Sequence, residues 1–381
     1  MGFDAAETID GSAYMLKSAR FAGALTDPNA QTVGPPPALR LDYIDVLKCY
    51  AVALVVLLHV AAPGTYLWGA VKVRHWLTAE AFDSFSRVCV PLFLMASGAT
   101  LLDREKVEPV GNFLKRRVSR ILLPLLIWSC VYIADQIWLM GIPLTLDAAI
   151  RQLLLGTTSY HMPFFYYLFG LYLSAPLLAP FASGATRGAA WYFAILWFGV
   201  SCQALLSQIA GYSVSVFVPA VSGFAGYFVM GRLLRDVAIE GRTARWCGVA
   251  VVLCAIGTLL GTWRFTWLTG SLGVQLLDYS RPNIVLMSVA SFLILASAPV
   301  RQWLAVHPGF VKLARDGAVL SFGVYLIHPL LLQVAVPRLG LSWNRFSPLV
   351  GIPVSFCVLL AMSILAVALL RRIPFLRAAV S

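Results

Sequence analysis

Long apolar runs alternate with short polar segments along most of the chain, and this alternation predicts a bundle of transmembrane helices. Each of ten runs is close to the ~20 residues that a helix needs to cross the apolar layer of a bilayer. We therefore expect an all-α, polytopic integral membrane protein with about ten transmembrane helices, held in residues 41–370. The predicted spans are 43–66, 84–102, 121–140, 163–182, 190–210, 214–234, 246–263, 282–300, 318–337 and 347–370.

Composition agrees with a membrane protein, since 60% of the residues are hydrophobic and 12% are charged, against about 25% charged in soluble domains. The net charge of +12 would suit a nucleic-acid-binding protein. Here the basic residues lie between apolar runs instead of on one motif, which does not favour nucleic acid as a partner. Seven cysteines lie almost entirely within or beside apolar runs without a CxxC pair, so we expect buried thiols and no metal site.

The distribution of basic residues predicts the orientation in the membrane. If the N-terminus is cytoplasmic, the cytoplasmic segments together with Arg232 hold twenty Lys and Arg, and the outer segments hold seven. This asymmetry follows the positive-inside rule and requires an even number of helices. We expect both termini in the cytoplasm, with 1–40 as a flexible tail and 371–381 as a short one.

The first predicted helix carries three ionisable residues within an otherwise apolar segment. Lys48 and His59 are eleven residues apart, which is three helical turns plus about 20°, so both side chains lie on one face about 16 Å apart. Asp45 lies three residues before Lys48, on nearly the same face. Ionisable side chains at membrane depth are costly and usually functional. Snorkelling towards the interface is an alternative explanation for Lys48, but not for the deeper His59.

Other polar residues in apolar surroundings are candidates for the same site. Ser97-Gly98 lies mid-span and either allows close helix packing or admits a ligand to the backbone. Arg117 and Arg120 share a face beside the third span, and serve either as a topology and lipid-binding signal or as a phosphate site. His161 and His328 are predicted on the same side as His59. Each of the two histidines has the alternative of being a core or interfacial residue with a satisfied partner.

Four motifs in order give the chain a family resemblance. In the first motif, Asp45 and Lys48 are followed after ten residues by His59. The other three are Pro91-Leu92-Phe93 through Ser97-Gly98, Arg117-x-x-Arg120-Ile121 with a following proline, and Tyr325-Leu326-Ile327-His328. Together they resemble the membrane acyltransferase-3 family, which acylates bacterial cell-surface glycans. Lys48 stands where the family usually has arginine, which keeps the charge and loses the planar fork. Eleven residues follow Leu370, so we expect a stand-alone member.

The resemblance implies an O-acyltransferase in the bacterial inner membrane, with acetyl-CoA or another short acyl-CoA as donor and a surface polysaccharide or exopolysaccharide as acceptor. It implies catalytic roles for His59, Lys48 and Asp45, and donor binding by Arg117, Arg120, Ser97 and Gly98. His161, Tyr325 and His328 would orient the sugar or His59. General-base catalysis by His59 and an acyl-histidine intermediate both remain open. Membrane lipid and the polysaccharide synthesis machinery are further expected partners. The alternative functions are a transporter of a sugar or small acid and a catalytically silent partner of a synthase.

Overall fold

The computed structural model describes residues 41–103, 109–211 and 223–380, and every regular element within these ranges is helical. A 3₁₀ turn, Val274–Leu276, lies between two of the α-helices. The α-helices in chain order are α1 (Asp42–Thr65), α2 (Val73–Ser86), α3 (Cys89–Leu101), α4 (Val110–Trp138), α5 (Leu146–Leu155), α6 (Pro163–Gly184), α7 (Arg187–Ala210), α8 (Phe224–Leu234), α9 (Gly241–Thr269), α10 (Pro282–Leu295), α11 (Ala298–Ala305), α12 (Pro308–Arg338), α13 (Pro348–Leu370) and α14 (Pro374–Arg377).

The all-α, polytopic membrane architecture predicted from the apolar runs is confirmed. In the described ranges, nine helical segments are long and apolar enough to cross a bilayer, with α2 and α3 counted as one and α10 and α11 as another. Of the predicted span 214–234, the structure describes α8, Phe224–Leu234. The preceding part of that span, like the predicted N-terminal tail 1–40, lies outside the described residues.

The second predicted span begins eleven residues too late, because its ionisable residues are ion-paired or hydrogen-bonded inside the bundle. Helical structure starts at Val73 instead of residue 84, and the apolar segment continues to Leu101. Arg87 Nη2 lies 2.6 Å from Asp83 Oδ2, and Glu80 Oε1 accepts a hydrogen bond of 2.8 Å from Ser84. A prediction from hydropathy alone assigns such residues to a loop, whereas paired charges are tolerated in a buried helix.

The third span is also longer than predicted, since α4 begins at Val110 instead of residue 121. The basic run before residue 121 therefore continues the helix instead of forming a loop. Polar side chains do not interrupt the main-chain hydrogen bonds of a helix, but proline lacks the N–H that such a bond needs. Pro109 occupies the position immediately before α4, where that missing donor costs least.

The bundle has a buried centre and a periphery with large apolar exposure. The apolar stretch of the α2–α3 segment is 72% buried and that of α1 is 61% buried, against 11% for α9 and 17% for α7. Helix α1 packs against α2, α3 and α12. The exposed leucines, isoleucines and valines of α9 and α7 suit contact with lipid chains. The ionisable residues of α1 thus belong to one of the most buried helices of the bundle, although Asp45, Lys48 and His59 are themselves partly exposed.

Helices α3 and α8 cross at unusually short range through two glycines. A Cβ atom added at Gly98 would overlap the carbonyl oxygen of Phe228, and one added at Gly231 would overlap that of Met95. Small residues at a crossing let two backbones approach closely in a membrane bundle. Gly98 therefore acts in helix packing, which is one of the two alternatives that its sequence allowed.

Candidate active site

Three histidines from distant parts of the chain meet at the end of the bundle where α1 finishes, which we call the His59 end. Nδ1 of His59 in α1 lies 2.7 Å from Nε2 of His328 in α12, and their rings stack with centroids 4.9 Å apart. His161, in the turn before α6, packs edge-on against His328 at 5.8 Å. His161 and His328 are buried, and His59 is partly exposed. Three of the sequence-predicted site residues thus form one cluster, the histidine cluster.

Backbone contacts determine which nitrogen of His328 carries the proton. Nδ1 of His328 lies 2.9 Å from the carbonyl oxygen of Tyr325 and 3.1 Å from that of Val324. A carbonyl oxygen only accepts, so Nδ1 is the donor, and Nε2 of a neutral ring is an acceptor. Nδ1–H of His59 then donates to Nε2 of His328. This arrangement leaves the lone pair of His59 at Nε2, where no described residue forms a hydrogen bond.

His161 is held from two sides and keeps one nitrogen unpaired. Its Nδ1 lies 3.1 Å from the hydroxyl of Ser159, and its backbone carbonyl accepts a hydrogen bond of 2.7 Å from Tyr325. Nε2 of His161 is buried and has no hydrogen-bond partner among the described residues. Burial lowers the pKa of His161 well below its ordinary value, and nearby His328 lowers it further. A neutral imidazole with an unpaired nitrogen is free to contact a substrate.

A cavity of about 300 Å³ opens beside the histidine cluster, and we call it the His59 cavity. Its polar lining includes His59, His161, Tyr160, Asp278 and Tyr279. Apolar side chains complete the wall, with the buried thiol of Cys89 among them. The volume is at the lower end of the range for small-molecule sites. The cavity can therefore hold a small reacting group beside His59.

A second cavity of about 230 Å³ lies towards the opposite end of the bundle, where α1 begins, and we call it the Lys48 cavity. Its polar lining consists of Lys48, Ser97, Arg120, Tyr172, Ser321 and Tyr325. Asp45 is one turn from Lys48, and its Oδ1 lies 3.9 Å from Nζ of Lys48. Two cationic side chains at one opening are suited to an anionic group such as a phosphate. The structure thus brings Lys48, Arg120 and Ser97 to one cavity.

The two cavities are neighbours that share part of their lining. Phe164 and Tyr325 line both the Lys48 cavity and the His59 cavity. Their rings lie 5.5 Å apart by centroid. Along α1, the eleven residues from Lys48 to His59 correspond to about 16 Å. The two cationic residues and His59 therefore lie at opposite ends of two adjoining cavities, and a long, thin molecule could span the distance between them.

Two predicted donor-binding residues are not among the described lining of the Lys48 cavity. Gly98 faces the backbone of Phe228, and Ser97 alone of the pair lines the cavity. Arg117 belongs to α4, one turn before Arg120, and its side chain lies outside the described residues. A role for Arg117 in donor binding therefore stays a prediction.

Several lining residues were not singled out from the sequence. Phe164, Tyr160, Tyr167, Asp278 and Tyr279 reach the site from the start of α6 and from the segment before α10. Aromatic residues are common in apolar segments, so no pattern separates the four aromatic ones from residues that face lipid. Tyr160 had the one available signal, because it directly precedes His161.

Comparison with known proteins identifies the family. The acyltransferase domain model of the acyltransferase-3 family matches residues 41–372, which is nearly the whole chain. No curated protein and no solved structure matches the chain. The matched region contains both cavities and the histidine cluster. The chain belongs to the membrane acyltransferase-3 family and is an acyltransferase with transmembrane helices.

Proposed function

We propose that this acyltransferase moves an acyl group from acyl-CoA, bound through the Lys48 cavity, to a hydroxyl of a glycan at the His59 cavity. The observation that carries the proposal is the pair of adjoining cavities with cationic residues at one end and the His59–His328 pair at the other. Acetyl-CoA is the donor that we favour, because a cavity of about 300 Å³ has room for a short acyl group beside the acceptor. The acceptor that the family suggests is a surface polysaccharide or exopolysaccharide.

His59 would act as general base in a direct transfer. Its Nε2 takes the proton of the acceptor hydroxyl while the hydroxyl oxygen attacks the thioester carbonyl. The carbon–sulfur bond then breaks, and the same proton passes from Nε2 to the departing CoA sulfur, so no further reactant is needed. His328 accepts from Nδ1–H of His59 throughout, which orients the ring and supports the positive charge that it gains. His161 would donate Nε2–H to the thioester oxygen while its Nδ1 accepts from the Ser159 hydroxyl.

The donor would enter from the Lys48 end. CoA carries phosphate groups, and Lys48 and Arg120 can hold such groups by charge-assisted hydrogen bonds. The thin pantetheine arm then extends past Ser97 and the shared wall of Phe164 and Tyr325 towards His59. Asp45 keeps a carboxylate near Lys48 and limits where its ammonium group points.

We expect Arg120→Ala to raise the KM for acetyl-CoA about tenfold with little change in kcat, because one exposed contact to a phosphate is lost. Lys48→Ala should act in the same direction. The measurement is release of free CoA thiol by the purified protein in nanodiscs. Lys115→Ala is the matched control, since Lys115 is an exposed cation of the same helix that does not line the cavity. If Arg120→Ala and Lys115→Ala have equal KM values for acetyl-CoA, the basic run has only a topological role.

The direction of transfer follows from the predicted topology. We propose that the protein lies in a bacterial inner membrane with both termini cytoplasmic, which places the Lys48 end inside, where acyl-CoA is available. The excess of basic residues in the predicted cytoplasmic segments supports this orientation.

A cysteine introduced at Lys72 should react with an impermeant thiol reagent from the outer side. Reaction from the cytoplasmic side alone would show that the orientation is the reverse of the proposed one. The polysaccharide synthesis machinery is the partner that we expect on the outer side.

A further inference from the structure

A groove of about 520 Å³ adjoins the His59 cavity, and we call it the tyrosine groove. Tyr166 and Tyr167 of α6, Phe224 of α8, and the segment Asp278-Tyr279-Ser280 form most of its wall. Four of these residues, Tyr167, Phe224, Asp278 and Tyr279, also line the His59 cavity. The groove and the His59 cavity therefore share one wall, and a molecule in the groove lies next to the catalytic histidine.

Aromatic rings dominate the part of the groove nearest to His59. The Tyr167 and Phe224 rings meet edge to face with centroids 4.8 Å apart, and Phe224 is 6.0 Å from Tyr279. Tyr167 is 55% exposed although it belongs to an apolar helix. Such rings offer flat apolar faces, and tyrosine adds a hydroxyl for hydrogen bonding. A pyranose has matching features, namely a face of C–H groups and a rim of hydroxyls.

Asp278 adds a charge that narrows the class of ligand. Of the described residues that line the tyrosine groove, Asp278 alone carries a formal charge. Its Oδ1 accepts a hydrogen bond of 2.7 Å from the backbone N–H of Ser280 and another from the Ser280 hydroxyl. The nearby Arg281 guanidinium donates instead to Gln208. A carboxylate in this position accepts hydrogen bonds from sugar hydroxyls and repels another carboxylate.

We propose that the tyrosine groove is the acceptor subsite and that it takes a neutral pyranose in preference to a uronic acid. The assignment rests on the proposed acyl transfer at His59, and it adds the class of sugar and the residues that select it. The rings of Tyr167 and Tyr279 hold the sugar face, and Asp278 accepts from its hydroxyls. The hydroxyl to be acylated then points along the shared wall into the His59 cavity.

The first test changes one ring of the groove. The full-length protein in nanodiscs is given acetyl-CoA with methyl glucoside as acceptor, and transfer is measured as O-acetylated product by mass spectrometry. Tyr167→Leu keeps apolar bulk but removes the ring, and we expect the KM for the glucoside to rise about three- to tenfold. Tyr66→Leu is the matched control, because Tyr66 is exposed near the His59 end and lines neither the groove nor the cavity.

The second test uses charge. With methyl glucuronide in place of methyl glucoside, we expect the wild-type kcat/KM to fall about two- to fivefold, and Asp278→Asn to remove most of this difference. Thermal unfolding of each variant checks that the fold is kept. Equal use of both sugars by the wild type, or an unchanged ratio in Asp278→Asn, would overturn the selection of neutral sugars.

The outcomes of these tests distinguish a failure of the acceptor subsite from a failure of the proposed transfer at His59. If the KM for the glucoside is no higher in Tyr167→Leu than in Tyr66→Leu, the groove is not the acceptor subsite. A lipid chain would then be its occupant. Transfer to neither sugar, with release of CoA thiol to water intact, would also overturn the acceptor subsite. In both cases, loss of thiol release in His59→Ala would still support the proposed transfer at His59. Full activity of His59→Ala would instead count against the proposed transfer and not against the groove.

Discussion

His59→Ala should lower acyl transfer by about 10²- to 10⁴-fold, because a sugar hydroxyl is a poor nucleophile at neutral pH and needs a base in contact with it. Histidine is the side chain whose ordinary pKa lies nearest to this task. Nε2 of His59 is the nitrogen that the hydrogen bond to His328 leaves with a lone pair. The measurement is product formation by the purified protein at saturating acetyl-CoA.

Binding of acetyl-CoA should survive in His59→Ala, since the cationic residues lie in the other cavity. Equilibrium dialysis with labelled acetyl-CoA checks this expectation. His75→Ala is the matched control, because His75 is a histidine of the neighbouring helix α2 that lines neither cavity. If the turnover of His59→Ala is within a few fold of the wild-type turnover, His59 is not the general base. A stable acetyl adduct on His59, trapped by rapid quench, would favour the acyl-histidine route over direct transfer.

His328→Leu should have the second-largest effect, a fall in kcat of about 10- to 100-fold with an unchanged KM for acetyl-CoA. An orienting carboxylate beside a catalytic histidine contributes up to about 10⁴-fold in serine proteases, and a neutral acceptor should contribute less. Leucine fills the space without accepting from Nδ1–H of His59, so the ring loses its preferred tautomer. His328 is therefore expected to be a positioning residue. Kinetics with the purified protein give both constants.

His328→Gln separates positioning from packing. The glutamine side-chain oxygen can accept the hydrogen bond from His59, so this variant should recover part of the rate that His328→Leu loses. A packing role predicts no such recovery, because neither side chain reproduces the imidazole that packs against His161. Equal rates for the two variants, with equal melting temperatures, would show that the contact to His59 does not orient the base.

Much of the candidate site could be predicted from α1 itself. Asp45, Lys48 and His59 belong to one helix, and helical geometry alone places them along one face. Their separation of about three turns is the same in the isolated sequence and in the fold, since the rise per residue is constant. The structure adds that both Lys48 and His59 line cavities that share Phe164 and Tyr325.

The hydropathy pattern was least reliable where polar residues find partners within the bundle. Glu80, Asp83 and Arg87 lowered the apolar score of the second span, although they are spaced three and four residues apart. That spacing is the signal that could have indicated one helical face with an ion pair. Gly98 shows the converse, since a helix glycine beside Ser97 suggested a ligand site and the fold uses it for the crossing with α8.

The all-α membrane architecture and the polar stripe of α1 could be predicted from the amino-acid pattern alone. The reason is that a bilayer forces each segment to satisfy its own main-chain hydrogen bonds, so helices can be recognised one at a time. The partner of His59 depends on the packing of distant helices, because His328 is 269 positions away in the chain. The same packing selects which aromatic residues of α6, α8 and the segment before α10 face a cavity instead of lipid. Such contacts depend on how helices pack against one another, and local pattern carries no information about that packing.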